Sequence, residues 1–295
     1  MIETDVVIIG SGPAGIQAAI HAGRKKASVV IVGKTVNSAL YGAHVENYFG
    51  IPGKKSGIEL LKDGIVQAET FGCKVLDENI ISASKEGDLF KLVTENDVSI
   101  MAKAVIIATG ISRVKLGVPG EKEFFGKGVS YCAACDCNFY KGKTVVVVGD
   151  ETEAAVSSEL MTKYASKVFW VTKDTKASEK IADKASAAGV KVVRATALSI
   201  EGTTRVERIR LDNGETIQTD GVFIELGAKS AADLAMDLDI LPEIDDTIKV
   251  DSNCATVVKG IFACGDVTGK PWQVAKAVGQ GAVAGIAAAD MVRGA

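Results

Sequence analysis

The sequence predicts an α/β chain of two nucleotide-binding-type domains, the second inserted into the first. Three observations carry this expectation. Residues 6–10 form an apolar run of strand length that leads at once into Ser11-Gly12-Pro13-Ala14-Gly15, a helical stretch over 16–23 and a second apolar run over 29–32. A second series of the same kind begins at Lys143, with a buried strand over 144–149, a helix over 153–164 and the next strand over 168–171. Near the C-terminus, 248–251 and 260–266 read as short strands ending in a turn, followed by an Ala- and Val-rich helix over about 272–292. Strand, glycine turn, helix, strand is the βαβ unit of a parallel sheet, so each series predicts a Rossmann-like domain. The C-terminal strands and helix are expected to pack back onto the first domain, giving 1–112 with 243–295 as one domain and 113–242 as the insertion.

A chain of 295 residues is long enough for two separate cores. Hydrophobic residues make up 47%, charged residues 24%, and the net charge is −3 with no basic block. That composition is ordinary for a globular protein and lacks the electrostatic footprint that binding a nucleic-acid backbone requires. No apolar run approaches the ~18 residues of a transmembrane helix. The opening Met1-Ile-Glu-Thr-Asp-Val is acidic where a secretory segment would be basic, so a cytoplasmic protein is expected.

Gly10-Ser11-Gly12-Pro13-Ala14-Gly15 is a G-x-G-x-x-G turn set between a strand and a helix, the context that gives the motif meaning. Gly10 allows the tight turn, Gly12 lets the backbone approach a pyrophosphate, and Gly15 lets helix and strand pack closely. The free N–H groups and the helix dipole meet the anion. The second strand ends Val32-Gly33-Lys34 with no ribose-binding carboxylate, so the motif by itself does not choose FAD over NAD. Two other segments favour FAD. Ile106-Ile-Ala-Thr109-Gly110 is the strand end that returns to the nucleotide, and Ala263-Cys-Gly265-Asp266 is a turn carrying an Asp for a ribityl chain.

Of the cysteines at 73, 132, 135, 137, 254 and 264, only 132, 135 and 137 lie close together. Cys132-Ala-Ala-Cys135 sets two thiols across two small residues, a spacing that closes a reversible disulfide whose thiolate is the attacking species. Asp136 follows directly and can shuttle a proton to or from a departing thiolate. A metal site is the competing use, but C-x-x-C-x-C supplies three thiolates where structural zinc takes four ligands, so no metal is expected. A pair of inert buried cysteines is the other alternative. Cys137 is read as bystander packing and Cys264 as core; His21 is read as structural and His44 as a solvent-facing loop residue.

Gly10-Ser-Gly12-Pro-Ala-Gly15, Val45-Glu-Asn47-Tyr, Ala108-Thr109-Gly110, Cys132-Ala-Ala-Cys135-Asp136 and Gly265-Asp266, in that order and spacing, resemble the low-molecular-weight thioredoxin reductases over essentially the whole chain. The resemblance implies a two-domain flavoprotein, usually a homodimer, that holds FAD with its first and last segments and reduces a thioredoxin. It implies that Asn47, Asp266 and Gln273 contact the flavin or its ribityl chain, and that Asp136 is the acid/base. It also implies that Cys135 lies near the flavin and that Cys132 is the more accessible sulfur.

The second glycine turn departs from that family. Gly149-Asp150-Glu151-Thr152-Glu153-Ala154 keeps the first glycine and the alanine of G-x-G-x-x-A, but Glu151 replaces the second glycine. Unit charges 4–8 Å apart repel by roughly 2–4 kcal/mol at an effective dielectric near 20, whereas a helix dipole returns about 0.3–1 kcal/mol, up to about 2 when buried. The His-Arg-Arg cluster that reads NADPH is also missing: after residue 171 the chain runs Thr172-Lys173-Asp174-Thr175-Lys176. A third departure is Glu225-Leu-Gly227-Ala-Lys-Ser230, where the family has a glycine followed by Pro-Asn. The chain therefore resembles the ferredoxin-dependent flavin thioredoxin reductases, whose second domain is similarly degenerate. Trp272, beside Gln273 where the usual family has Arg, strengthens the likeness, since an aromatic ring there can stack near the flavin. Reduced ferredoxin is the expected donor, with a reduced deazaflavin left open. The rivals are an ordinary NADPH-dependent thioredoxin reductase and, in another class, a flavin-binding regulatory protein without turnover.

Overall fold

The computed structural model describes residues 1–111, 115–227, 229–243 and 245–294. The chain divides into two compact units, Met1–Ser112 with Ser230–Ala295, and Arg113–Lys229. In chain order the first unit supplies β1 (Ile2–Ile9), α1 (Pro13–Arg24), β2 (Val29–Val32), the short pair β3 (His44–Val45) and β4 (Lys55–Ser56), and α2 (Gly57–Thr70). It continues through β5 (Lys74–Leu76), β6 (Ile80–Glu86), β7 (Leu89–Thr94) and β8 (Ser99–Ile107). The second unit runs β9 (Val129–Ser130), α3 (Ala133–Asp136), β10 (Thr144–Val148), α4 (Thr152–Met161), β11 (Lys167–Thr172), α5 (Glu179–Ala187) and β12 (Lys191–Arg194). It ends in β13 (Ala197–Gly202), β14 (Val206–Leu211), β15 (Thr216–Gln218) and β16 (Gly221–Ile224), after which α6 (Ala231–Asp237), β17 (Ile261–Ala263) and α7 (Val274–Arg293) return to the first unit.

In the first unit the strand order is β5-β2-β1-β8-β7-β6, and β17 also pairs with β8. β1 is parallel to both β2 and β8, with Ile9 opposite Val32 on one side and Ile107 on the other. Both faces of this strand are covered, which is why Val6, Val7, Ile8 and Ile9 read as a continuous apolar run rather than an alternating one. β8 pairs antiparallel with β7 along its first half and parallel with β17 along its second. α1 starts with Pro13 in its first turn, where a missing N–H costs nothing, and buries Ile16, Ala18, Ala19, Ile20 and Ala22. α7 crosses α1 at backbone distance: a Cβ on Gly281 would stand 2.3 Å from the Ala14 carbonyl oxygen, and one on Gly285 2.2 Å from that of Ala18.

The second unit holds an all-parallel sheet, β12-β11-β10-β16-β9, and a separate antiparallel β13-β14-β15. Its largest fully buried side chain is Trp170 on β11, whose indole N–H donates to the Gly149 carbonyl at 2.8 Å. Burying a large apolar side chain contributes about 1.5–3 kcal/mol, and here the same residue also fixes the turn after β10.

Three sequence expectations shift. The chain returns to the first unit at Ser230, not at 243. The reason is α6, whose Ala231, Leu234 and Ala235 are buried in one core with Val7 and Ile9 of β1, while Asp237 accepts a hydrogen bond from the Ala83 amide at 3.1 Å. The outward crossing expected between 112 and 113 falls outside the described residues, as does Ala228 of the 225–230 departure. Residues 248–251 form no strand; the Ile248 amide instead donates to Val267 and that of Asp251 to Ala255. α4 ends at Met161, with Thr162, Lys163 and Tyr164 closing in a turn.

Candidate active site

β1 delivers the chain to the Gly10 turn, and the geometry there has no room for side chains. Gly10 has φ 115°, and a Cβ on it would sit 2.3 Å from the Ala108 carbonyl oxygen; a Cβ on Gly15 would sit 1.9 Å from the Gly10 carbonyl oxygen. Gly12 differs, since the nearest atom to its Cβ position is the Ser38 hydroxyl at 3.4 Å. Its bareness serves something other than protein packing. Ser11 is buried and donates to the Gly33 carbonyl at 2.9 Å, which ties the turn to the end of β2. No side chain caps the N-terminus of α1 and no acidic residue lies in its first turn, so its amides keep their preference for an anion.

Thr109, where β8 returns beside the Gly10 turn, carries a buried hydroxyl with no protein hydrogen-bond partner, one of two such buried side-chain atoms among the described residues. Gly110 follows with φ 73°. The last segment arrives at the same place: a Cβ on Gly265 would stand 2.8 Å from the Ala14 side chain. Asp266 is half-buried, and burial raises its carboxyl above the usual range against the opposing pull of Lys276. The Asn47 amide donates to the Gln273 side-chain oxygen at 3.2 Å, so these two residues meet although far apart in sequence. Trp272 precedes Gln273, half exposed, with the Lys270 ammonium 5.2 Å from its ring centroid.

In the second unit β9 runs out into Cys132, which forms a disulfide with Cys135 at a Cα–Cα distance of 5.4 Å. Cys132 occupies the N-cap of α3 and its sulfur accepts from the Cys135 amide at 3.1 Å. Its own amide donates to the Ser130 hydroxyl at 3.1 Å, and the next amide, of Ala133, donates to the Glu225 carboxylate at 3.0 Å. Glu225 itself is buried just past the end of β16, the strand that pairs with β9. Asp136 closes the short helix, half-buried, its amide on the Cys132 carbonyl.

The relative accessibility of the two sulfurs is the reverse of the expectation. Cys132 is buried and Cys135 exposed, because Cys132 sits at the foot of α3 with its sulfur turned onto the Cys135 amide. Cys137 is buried and contacts the Ala134 carbonyl and Tyr164, whose hydroxyl it pushes up in pKa by hydrogen bonding. Cys137 lies apart from the Cys132–Cys135 pair, its sulfur on the Ala134 carbonyl. Burial pushes the Cys73 thiol up to about 11 and raises those of Cys254 and Cys264 as well, so none of these forms a nucleophile at neutral pH. His44 is exposed on β3, and His21 is part-buried in α1, where burial and Arg24 lower its pKa.

The second glycine turn is closed by its own side chains. Asp150 accepts from the Thr172 hydroxyl at 2.6 Å and the Lys173 amide at 2.8 Å, while its carbonyl takes the Lys176 amide at 2.6 Å. Glu151 pairs with the Lys176 ammonium at 2.6 Å, and Glu153 is buried in the first turn of α4. The segment after β11 is thereby strapped across the turn that precedes α4.

Residues 4–281 match the family model described as pyridine nucleotide-disulphide oxidoreductase. The chain belongs to that family. Among its curated relatives, the thioredoxin reductase of Aquifex aeolicus is 34% identical over 275 residues, covering 89% of this chain and 85% of the relative. Solved structures of the same kind include the atypical thioredoxin reductase TRi of Desulfovibrio vulgaris Hildenborough, at a TM-score of 0.84 and 34% identity, covering 98% of both chains. A ferredoxin-flavin thioredoxin reductase from Clostridium acetobutylicum aligns at 0.69 and 32% identity over 100% of both.

Membership makes the chain a flavoprotein oxidoreductase of the thioredoxin-reductase kind with FAD as cofactor. The first unit fits that group: an uncapped helix N-terminus, a bare Gly12 and the orphaned Thr109 hydroxyl all face one turn. Sequence reasoning missed Lys276 and Gln280 on α7, which hydrogen-bond the 265–269 turn. Two long polar side chains four apart in a helical stretch, 274–285, that is otherwise Ala, Gly and Val were the available signal. It also missed the contact of Glu225 with Ala133, for which a separation of 92 residues offers no local sign. No described helix is long and apolar enough to cross a membrane.

Proposed function

We propose that this flavoenzyme reduces the disulfide of a thioredoxin or thioredoxin-like protein through Cys132 and Cys135, and that it draws its electrons from reduced ferredoxin rather than from NADPH. FAD, when bound, supplies the two-electron store between donor and disulfide. The candidate cofactor contacts are Gly10, Ser11, Gly12, Pro13, Ala14 and Gly15 at the pyrophosphate, with Asn47, Thr109, Gly110, Gly265, Asp266, Trp272 and Gln273 completing the set. Two electrons and two protons open the Cys132–Cys135 bond to a dithiol, and Asp136 relays a proton at the departing sulfur. The Cys135 amide, already on the Cys132 sulfur, favours the thiolate there. One thiolate then attacks the partner's disulfide to form a mixed disulfide. The second cysteine resolves it, which restores the Cys132–Cys135 bond and releases the partner as a dithiol. We further propose a cytoplasmic homodimer.

The observation that carries the donor assignment is the strap across the second turn. A pyrophosphate at the N-terminus of α4 would have to face Asp150 and Glu151, and Lys176, one of the two lysines that closely follow β11, is already paired with Glu151. The test is anaerobic bleaching of the flavin's visible absorbance. Reduced ferredoxin should bleach it within seconds and support thioredoxin reduction, two ferredoxins being consumed per disulfide, whereas NADPH or NADH should bleach it slowly or not at all. Rapid stoichiometric bleaching by micromolar NADPH overturns the donor and leaves an ordinary NADPH-dependent enzyme.

A further inference from the structure

We propose that Lys276 is a positioning residue for the flavin, a cation fixed beside Asp266 that locks the 265–269 turn and favours the reduced cofactor. The proposal rests on Asp266 being a cofactor contact and goes beyond it by assigning work to a residue outside the contact set.

An ordinary surface lysine keeps its ammonium in water. Lys276 lies in the first turn of α7 and points its ammonium back at the preceding 265–269 turn. It is within hydrogen-bond distance of the Gly265 carbonyl at 3.0 Å, the Thr268 hydroxyl at 3.0 Å and the Gly269 carbonyl. An ammonium has three protons, and the turn offers three acceptors. One helical turn on, the Gln280 side-chain oxygen accepts from the Gly265 amide at 3.0 Å and from the Thr268 hydroxyl at 2.8 Å. The two side chains therefore hold Gly265 by both its N–H and its C=O.

The turn needs such a clamp. It opens at Gly265 with φ 84° and closes at Gly269 with φ 97°, and glycine is the residue with the most conformational freedom to lose. Asp266 sits between these two soft points, so the direction of its carboxylate depends on what fixes the turn. The groups facing the ammonium are the Asp266 carboxylate and the Cys254 and Cys264 thiols. Burial keeps both thiols protonated at neutral pH, which leaves Asp266 as the charged partner. Burial also pulls the Lys276 pKa down while Asp266 holds it up, so charge at one residue depends on charge at the other. Reduction adds electron density to the flavin, and a preorganised positive charge in a poorly solvated site stabilises the electron-rich form.

The experiment uses the flavin-loaded enzyme and three variants, Lys276→Met, Lys276→Gln and Lys276→Arg. The midpoint potential of the bound flavin is measured by equilibration with a reference dye, and FAD release is followed by its fluorescence. Met and Gln should each shift the reduction equilibrium about tenfold toward the oxidised flavin, about 30 mV for a two-electron couple, and release FAD faster. Arg, which keeps the charge, should recover most of the potential. A purely structural role would lower the melting temperature and leave the potential where it was. An unchanged potential in both Met and Gln variants overturns the proposal; should the Met variant fail to fold, the Gln variant decides it. Asp266→Asn reports separately on the underlying assignment, because unchanged FAD affinity in that variant removes Asp266 from the cofactor site.

Discussion

Replacing Glu151 by glycine should turn a loop that rejects pyridine nucleotide into one that admits it. Glu151 is the N-cap residue of α4 but makes no side-chain bond to the helix, so the substitution removes no cap. Glycine at an N-cap costs only a few tenths of a kcal/mol, and losing the exposed pair with Lys176 costs about 0–1 kcal/mol. Against this stands the repulsion a bound pyrophosphate would feel. One unit charge about 6 Å away costs about 3 kcal/mol at an effective dielectric near 20. Those stability costs are shared by free and bound enzyme, so the affinity gain is set by the repulsion removed, up to about 3 kcal/mol or roughly a hundredfold, and Lys176 is freed as well. Calorimetric titration of NADPH into wild type and Glu151→Gly under anaerobic conditions measures it, with thermal melts to confirm that both are folded. Equal affinities, or micromolar binding by the wild type, would show that the acidic strap is not what governs nucleotide access.

Other perturbations separate the cofactor site from the dithiol. Cys132→Ser and Cys135→Ser should each abolish thioredoxin reduction and keep the yellow flavin colour; turnover in either one removes the pair from electron flow. Asp136→Asn should slow the thiol steps by about 10²–10⁴-fold, and a wild-type rate there would reduce Asp136 to a structural residue. Gly12→Ala adds a Cβ that meets only the Ser38 hydroxyl in the protein, so the variant should fold with a near-normal melt yet purify with little or no FAD. A colourless wild-type control or a yellow variant would contradict the cradle. Cys73, buried with its pKa raised from 9.0 to about 11, contributes stability that is full below pH 9 and lost as the pH rises through 11. Cys73→Ala should flatten the stability curve across that window, and parallel curves for the two proteins would count against it.

The parts of this molecule that could be read from sequence are those whose physics is local. The β1–α1 turn announces itself because an apolar strand, three glycines and a helix start lie within a few residues of each other, and the tight approach of Gly15 to the Gly10 carbonyl is decided within that stretch. The Cys132–Cys135 bridge is legible for the same reason. The return of the chain at Ser230 was not, because α6 is short and its membership is decided by packing against β1, over 200 residues earlier. The closure of the second turn was only half visible. Sequence showed three carboxylates and a missing glycine, but not that Thr172, Lys173 and Lys176 would supply the partners that hold Asp150 and Glu151 in place. The exposure of Cys135 over Cys132 also escaped, since it depends on which sulfur turns onto the amides of a helix one turn long.

The glycine crossing of α1 and α7 fixes the order in which a newly made chain can become functional. The nucleotide turn and α1 are made well before α7, yet the surface α1 must bury is completed by Gly281 and Gly285, more than 250 residues later. β17 must likewise wait to pair with β8. The second unit lies wholly between these halves and has its own sheet and core, so it can finish folding while the first is still lacking an edge. Cofactor capture should therefore wait until α7 has been made and has docked on α1. Ribosome-stalled chains ending before 274 should carry a protease-resistant second unit and no flavin, and flavin retained on such chains would show that α7 is dispensable for loading.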